Sequence, residues 1–406
     1  MEGGPQLQRI AVPDLDAVES DPELVAVIRG EIDRAGPIPF ARFMELALYH
    51  PVHGYYRSAA ARPGRGGDFL TAPEAHPIFG RTIARHVDDA WRALGRPDGF
   101  TIRELGAGSG ALAAGILSGL AVEAADLAAV VRYRPVEVEP RRLDELRDRL
   151  AAEGLADRVE ADDGAPLVGI VIANEVLDAL PTHRVVGRDG RVREIVVGWN
   201  DGAFVDVEEE PSTPALGQRL AGEGIKLADG QLAEICLAVD GWVAGVAAGL
   251  KRGLVLLIDY GHPAAELYDG ARRPAGTLAA YYAQRVHGDP YRAIGRQDLT
   301  AHVDVTAVER AAVGAGLDHL GTTTQGRFLA ALGAGELLVA LQAGPAAGLQ
   351  AYLEARSALV RMIDPAAMGG FRVMSFGRGI PAEATLRGVG WRAVRRSHLQ
   401  TPPKYG

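Results

Sequence analysis

Residues 102–110 read Ile102-Arg103-Glu104-Leu105-Gly106-Ala107-Gly108-Ser109-Gly110. An apolar run ends in an acidic residue, glycines fall at 106, 108 and 110, and a helix-forming segment over 111–120 follows at once. A strand that breaks into a glycine turn and then a helix is how an α/β sheet approaches a nucleotide-like ligand. Glycine tolerates positive φ and carries no Cβ to hold the ligand off. The spacing is G-x-G-x-G, shorter than the G-x-G-x-x-G of dinucleotide-binding sheets, which disfavours a nicotinamide oxidoreductase. In a chain with 51 glycines the same spacing is also compatible with a plain tight turn, so the other strand ends have to decide between the two.

Working outward, the sequence alternates strand and helix. Strands are expected at 101–105, 132–138, 158–161 and 168–173, with helices at 111–120, 141–153 and near 176–180. This β-α-β-α-β order predicts a parallel sheet. Asn200-Asp201-Gly202 between two β-rich runs, 192–199 and 203–208, marks a hairpin that interrupts the rhythm as an insertion. The rhythm resumes with a helix over 231–250 and an apolar strand over 254–258. An aromatic-rich irregular stretch follows at 259–299, and further strands are expected at 318–323 and 371–376. The first ninety residues read as helices with loops; Asp21-Pro22-Glu23 is a helix start. The organisation expected is an N-terminal helical cap over 1–98, the first half of the core over 99–181, an inserted hairpin region over 182–230, and the second core half over 231–406 with an aromatic insertion at 260–299.

Acidic residues recur where this sheet would present its carboxyl ends. Glu137, in Val136-Glu137-Val138-Glu139, stands at the end of the second strand, where a carboxylate can accept hydrogen bonds from ribose hydroxyls. Glu139 reads better as a helix-start charge, because Pro140 follows it. The apolar strand at 168–173 ends in Asn174-Glu175, with Asp178 three residues on; one helical turn would put both carboxylates on one face, able to grip a guanidinium. The strand at 254–258 ends in Asp259-Tyr260-Gly261-His262.

Bulk composition narrows the classes. With 52 acidic against 43 basic residues and a net charge of −9, a general nucleic-acid-binding surface is not expected. A single cysteine, Cys236, excludes an intramolecular disulfide and a cysteine zinc cluster. His50 and His53 lack a third ligand, so no metal is expected. Neither a P-loop nor a G-x-S-x-G nucleophile elbow occurs. No 18-residue apolar run suggests a membrane span and no secretory signal is read at the N-terminus, so a cytoplasmic location is expected.

Taken together, these stretches resemble the MidA-like methyltransferases, bacterial and mitochondrial relatives of the complex I assembly-factor protein arginine methyltransferase. The resemblance runs over about 38–333. It is carried by Pro51-Val52-His53-Gly54-Tyr55-Tyr56, Gly67-Asp68-Phe69-Leu70-Thr71-Ala72-Pro73-Glu74, the glycine loop, residues 174–181, Asp259-Tyr260-Gly261-His262, residues 297–304 and Gly326-Arg327-Phe328-Leu329. Ala72 stands where serine is expected. The resemblance implies a class I, Rossmann-like α/β fold with a seven-stranded methyltransferase sheet. It implies S-adenosyl-L-methionine (SAM) as cofactor and methyl transfer to an arginine of a protein substrate, a complex I-type subunit in the mitochondrial members. On this reading Glu104, Gly106, Ala107, Gly108, Gly110, Glu137 and Asn174 hold the cofactor. Asp162 or Asp163 meets the adenine amino group, and Asp68 and Thr71 close over the pocket. Pro73, Glu74, Tyr260 and His262 meet the acceptor, and Glu175, Asp178 and Asp259 are the catalytic candidates. A small-molecule O- or N-methyltransferase and a SAM-binding assembly factor without catalysis remain alternatives, and the oligomeric state is open.

Overall fold

The structure, a computed structural model, describes residues 18–57, 70–343 and 348–389. The chain divides into two units whose segments alternate. Met1–Thr71, Leu177–Ala238 and His262–Asp304 form one; Ala72–Val176, Val239–Gly261 and Val305–Gly406 form the other.

The second of these is built on a six-stranded sheet of β1 (Phe100–Leu105), β2 (Val131–Val136), β3 (Leu167–Asn174), β4 (Leu250–Asp259), β5 (Asp318–Thr324) and β6 (Arg372–Arg378). Their order across the sheet is β5-β6-β4-β3-β1-β2. Strands β1 to β4 pair in parallel, and β6 runs antiparallel to both β4 and β5. The apolar runs of β3 and β4 are buried almost throughout, as expected of central parallel strands covered on both faces. Because β2 lies on one side of β1 and β3 on the other, the strand order reverses between β1 and β3. In open α/β sheets the ligand crevice lies at such a reversal, outside the carboxyl ends. Helix Ala111–Glu123 springs directly from β1 and helix Pro140–Ala152 follows β2, its start capped by Glu139, whose carboxylate accepts from Arg141 N–H.

Several expectations change. The strand expected at 158–161 contributes only one parallel bridge, Tyr133 with Val159, after a short 3-10 turn at Ala156–Arg158. Among the described residues the main sheet therefore has six strands. The helix expected near 176–180 is replaced by turns, because Glu175 adopts φ +53 and ends the strand abruptly. Gln231 to Leu250 is not one helix: Leu232–Ile235 is a strand paired with His183–Arg188, and the helix is confined to Ala238–Ala248. Helical periodicity over that stretch lost to cross-strand burial of Ala233 and Ile235.

The other unit is antiparallel. Arg191–Asn200 and Ala203–Glu209 form the hairpin around Asn200-Asp201-Gly202, with Trp199 opposite Phe204. Arg191–Asn200 also pairs with His183–Arg188 and with Ile38–Pro39. Helices Pro22–Ala35 and Phe40–Tyr49 bury Leu24, Ile28, Phe40, Phe43 and Met44 in the same core as Val197. The stretch expected to be irregular, 259–299, contains strands Ala279–Tyr282 and Arg285–His287, joined with Asp298–Thr300 in a three-stranded sheet.

Candidate active site

The glycine loop leaves β1 as the spacing requires. Gly106, Gly108 and Gly110 all take positive φ, and Gly106 and Ala107 donate their N–H groups to Val136 O, tying the loop to the end of β2. The three glycines serve different ends. A Cβ on Gly106 would lie 2.8 Å from Val176 Cγ2, so the loop and the turn after β3 are in van der Waals contact. A Cβ on Gly110 would strike Leu146. A Cβ on Gly108, at φ +52, would meet nothing within 4 Å, so that residue faces open space where a ligand can come against the backbone.

Glu137 lies just past β2. Its Oε2 accepts from Gly108 N–H at 2.9 Å and its Oε1 from Val138 N–H at 2.8 Å, placing the carboxylate beside Gly108. Glu104 is 3% exposed, and its Oε2 accepts from the Tyr133 hydroxyl at 2.7 Å. Burial pushes its pKa up to about 8; the Tyr133 hydrogen bond pulls it down and the charge of Glu137 pushes it further up. Tyr133 was not among the candidates. Alternation along β2 was the signal: Tyr133 sits opposite Ile102 and so shares the face of Glu104, while Arg134 shares that of Arg103.

The turn after β3 is strained. Glu175 is a non-glycine residue at φ +53, held there because its own N–H donates to Ile258 O at 2.8 Å and the N–H of Val176 donates to Asp259 Oδ2 at 3.0 Å. Asp259 Oδ1 accepts from Tyr260 N–H at 2.9 Å, and Asp259 has no exposed surface. Asp259 is thus a backbone clamp on the Glu175 turn, with two amides on its carboxylate. Asn174 Nδ2 donates to Glu175 Oε1 at 2.9 Å, while Asn174 Oδ1 is buried without a hydrogen-bond partner among the described residues. Backbone strain that the surroundings over-determine clusters at functional sites.

Other candidates fall differently. Asp162 and Asp163 lie on the opposite sheet face from Glu104. Asp162 Oδ1 accepts from Arg103 Nε at 2.7 Å, and Asp163 Oδ1 from Arg134 Nη1 at 2.5 Å, so both act as counter-ions to two adjacent buried or half-buried arginines. Glu74, on the short helix Ala72–Ala75, accepts from the Ser109 hydroxyl and pairs with Arg149 at 3.8 Å, which turns it toward the glycine loop. Pro73 is buried within that helix. Tyr260 packs its ring against Phe371 at 5.3 Å. Thr71, Asp178 and His262 belong to the antiparallel unit. There the Asp178 carbonyl accepts from Ala301 N–H at 2.9 Å, and His262 stacks on His302 with Arg273 Nη2 2.6 Å from its Nε2. Asp68 lies outside the described residues. Among the described residues no His/Cys/Asp/Glu group could hold a metal ion, and no helix is long and apolar enough to cross a membrane.

Residues 82–323 match the model of a family described as S-adenosyl-L-methionine-dependent methyltransferase. A crystal structure of a COG1565 superfamily member from Burkholderia thailandensis, bound to S-adenosyl-homocysteine, is 40% identical with a TM-score of 0.81, covering 91% of this chain and 95% of that one. A second COG1565 superfamily structure from the same organism is 38% identical with a TM-score of 0.81, covering 94% and 98%. The chain is 29% identical to the Drosophila melanogaster protein named "Protein arginine methyltransferase NDUFAF7 homolog, mitochondrial", over 90% of this chain and 89% of that protein. It is 26% identical to the human protein named "Protein arginine methyltransferase NDUFAF7, mitochondrial", over 75% and 71%. These relatives are named mitochondrial, which overturns the expectation of a cytoplasmic location.

Proposed function

The chain belongs to the S-adenosyl-L-methionine-dependent methyltransferase family, and from that premise we propose that it methylates a guanidinium nitrogen of an arginine in a partner protein. The arginine comes from the names of the curated relatives, and a complex I-type subunit is the acceptor class that the resemblance implies. The observation that carries the reading is the strained Glu175 turn packed against the glycine loop through Val176 and Gly106.

The residues at the reversal between β1 and β3 suit the cofactor. Open space at Gly108, the Glu137 carboxylate beside it and the buried acceptor Asn174 Oδ1 provide, in turn, backbone access, a hydroxyl acceptor and an acceptor for an N–H donor. SAM, when bound, supplies an electrophilic methyl carbon. The protein's part is alignment and proton handling. An arginine guanidinium is protonated at any physiological pH, so its approach must be oriented by a carboxylate that can also take a proton. We assign this to Glu175, whose Oε1 accepts from the Asn174 amide. Asp259 acts through the turn as a positioning residue. In this reading Glu74 orders the glycine loop through Ser109, and the segment bridged at Val159 stands as the seventh, edge member of the sheet.

Glu175→Gln tests the assignment. Isothermal titration should give SAM affinity within about twofold of the parent, while methyl transfer falls by about 100-fold or more, the scale of a lost general base. A loss of SAM affinity with unchanged turnover at saturation would move Glu175 to the cofactor.

A further inference from the structure

We propose that helix Leu349–Ile363 is a self-association surface, on which a second copy of this chain docks its own helix antiparallel across a two-fold axis. The inference is independent of the catalytic reading.

This helix carries two apolar seams where an ordinary surface helix carries one. On the first, Ala355, Ala358, Leu359 and Met362 are buried. The helix packs there on Gln325–Ala331, Ala334–Ala343 and Ile78–Ala93. That side is closed: Gln325 Nε2 donates to Met362 O at 3.1 Å, and a Cβ on Gly326 would lie 2.6 Å from Ile363 O. The second seam runs Leu349, Leu353, Arg356, Val360, Ile363. Its steps of four, three, four and three residues are those of a coiled-coil seam. At 3.6 residues per turn the five side chains fall within about 80° of arc, turned roughly 130° from the buried seam. Leu349 is 73% exposed, Leu353 43%, Val360 50% and Ile363 39%. Among the described residues, every exposed leucine and isoleucine lies on this one helix. Scattered apolar side chains on a surface need no partner, but a contiguous strip of large ones marks an interaction site.

The helix is complementary to itself, which argues for a second copy as the occupant. Beside the strip runs a polar flank of Gln350, Glu354, Ser357 and Arg361, on which Gln350 Nε2 donates to Glu354 Oε1 at 2.8 Å. Glu354 and Arg361 stand seven residues apart, two turns along the same flank. An in-register parallel pair would bring like charges together. An antiparallel pair with two-fold symmetry sets Glu354 toward the partner's Arg361, and by symmetry does so twice. The same register faces Leu353 with the partner's Ile363 and Val360 with the partner's Arg356. Arg356 lays its methylene stem along the strip and carries its guanidinium to water. A charged residue at a seam position fixes orientation at a cost in affinity. A single strip about 22 Å long sits at the small end of specific interfaces, so a Kd on the order of 10 µM is expected.

Sedimentation velocity of the whole chain from about 1 to 200 µM tests this, and the parent should pass from monomer to dimer across that range. Leu353→Glu with Val360→Glu sets charges into the seam and should raise the Kd by about 100-fold or more. Its thermal midpoint should match the parent's at low concentration, because both positions are exposed in the single chain. Glu354→Arg alone should weaken the dimer several-fold, and adding Arg361→Glu should restore it. Orientation is read with cysteines after Cys236→Ser, which removes the single native thiol. A mixture of Leu353→Cys and Ile363→Cys chains should form a disulfide under mild oxidation by dissolved oxygen, and neither chain alone should. If the double glutamate variant does not fold, the dilution series and the cysteine mixture decide. A parent that stays monomeric at the highest concentration, a dimer that survives L353E/V360E, absence of rescue by R361E, or cross-linking of Leu353→Cys to itself would overturn the proposal. So would a monomeric parent whose L353E/V360E variant melts lower, since the strip is then covered by the chain's own residues.

Discussion

The two strand ends that meet at the sheet's reversal adopt the same unusual backbone for opposite purposes. At the end of β1, Gly106, Gly108 and Gly110 take positive φ, and Gly108 leaves its side open. At the end of β3, Glu175 takes φ +53 with a full side chain, against an intrinsic preference that costs roughly 1–2 kcal/mol. On the proposed function, glycine is used where the cofactor reaches the main chain. At Glu175 a carboxylate-bearing residue occupies the left-handed region, and a buried aspartate with two amide hydrogen bonds holds the turn. On the same proposed function, one end binds and the other acts on what is bound.

Breaking the second end should have the larger effect. Asp259→Ala leaves the N–H groups of Val176 and Tyr260 without this acceptor; loss of about 3 kcal/mol is expected, measured by denaturant unfolding, together with loss of transfer. A variant as stable as the parent would mean that the carboxylate does not hold the turn. At the first end, Gly108→Val puts a branched side chain at φ +52 and into the open space; SAM affinity should fall about tenfold or more by calorimetry, with about 1–2 kcal/mol of destabilisation. Unchanged affinity would remove the ligand from that side of the loop. The smallest effect sharpens the contrast. Glu175→Gly should relieve the turn and raise stability by about 0.5–1 kcal/mol while abolishing transfer, because strain kept for function is released when the function is deleted. Destabilisation by this change would mean that Glu175 serves the fold.

The sequence made the glycine loop, the parallel order of β1 to β4 and the hairpin at Asn200-Asp201-Gly202 legible, since each depends on residues adjacent in the chain. It also brought Glu104, Glu137, Asn174, Glu175 and Asp259 to strand ends. Their roles were less legible, because these depend on register. Nothing local distinguishes Asp259 as a clamp from Asp259 as a base until Val176 N–H is seen 3.0 Å from it across the sheet. Asp162 and Asp163 are expected to meet the ligand because they follow the 158–161 segment, and their arginine partners are not visible in the local sequence. The arginines that engage them, Arg103 and Arg134, are 59 and 29 residues away in sequence. The strand Leu232–Ile235 was hidden inside a helical pattern for the same reason: its partner is His183–Arg188.

Methyl transfer to arginine in a protein acceptor can be read out chemically. The most direct measurement incubates the purified chain and methyl-labelled SAM with proteins extracted from cells that lack its gene, then hydrolyses the labelled proteins and identifies the modified amino acid. Label should be recovered as methylarginine with the parent protein and not at all with Glu175→Gln. Label recovered only in small molecules or in another amino acid, or transfer that survives Glu175→Gln undiminished, would contradict the proposed function.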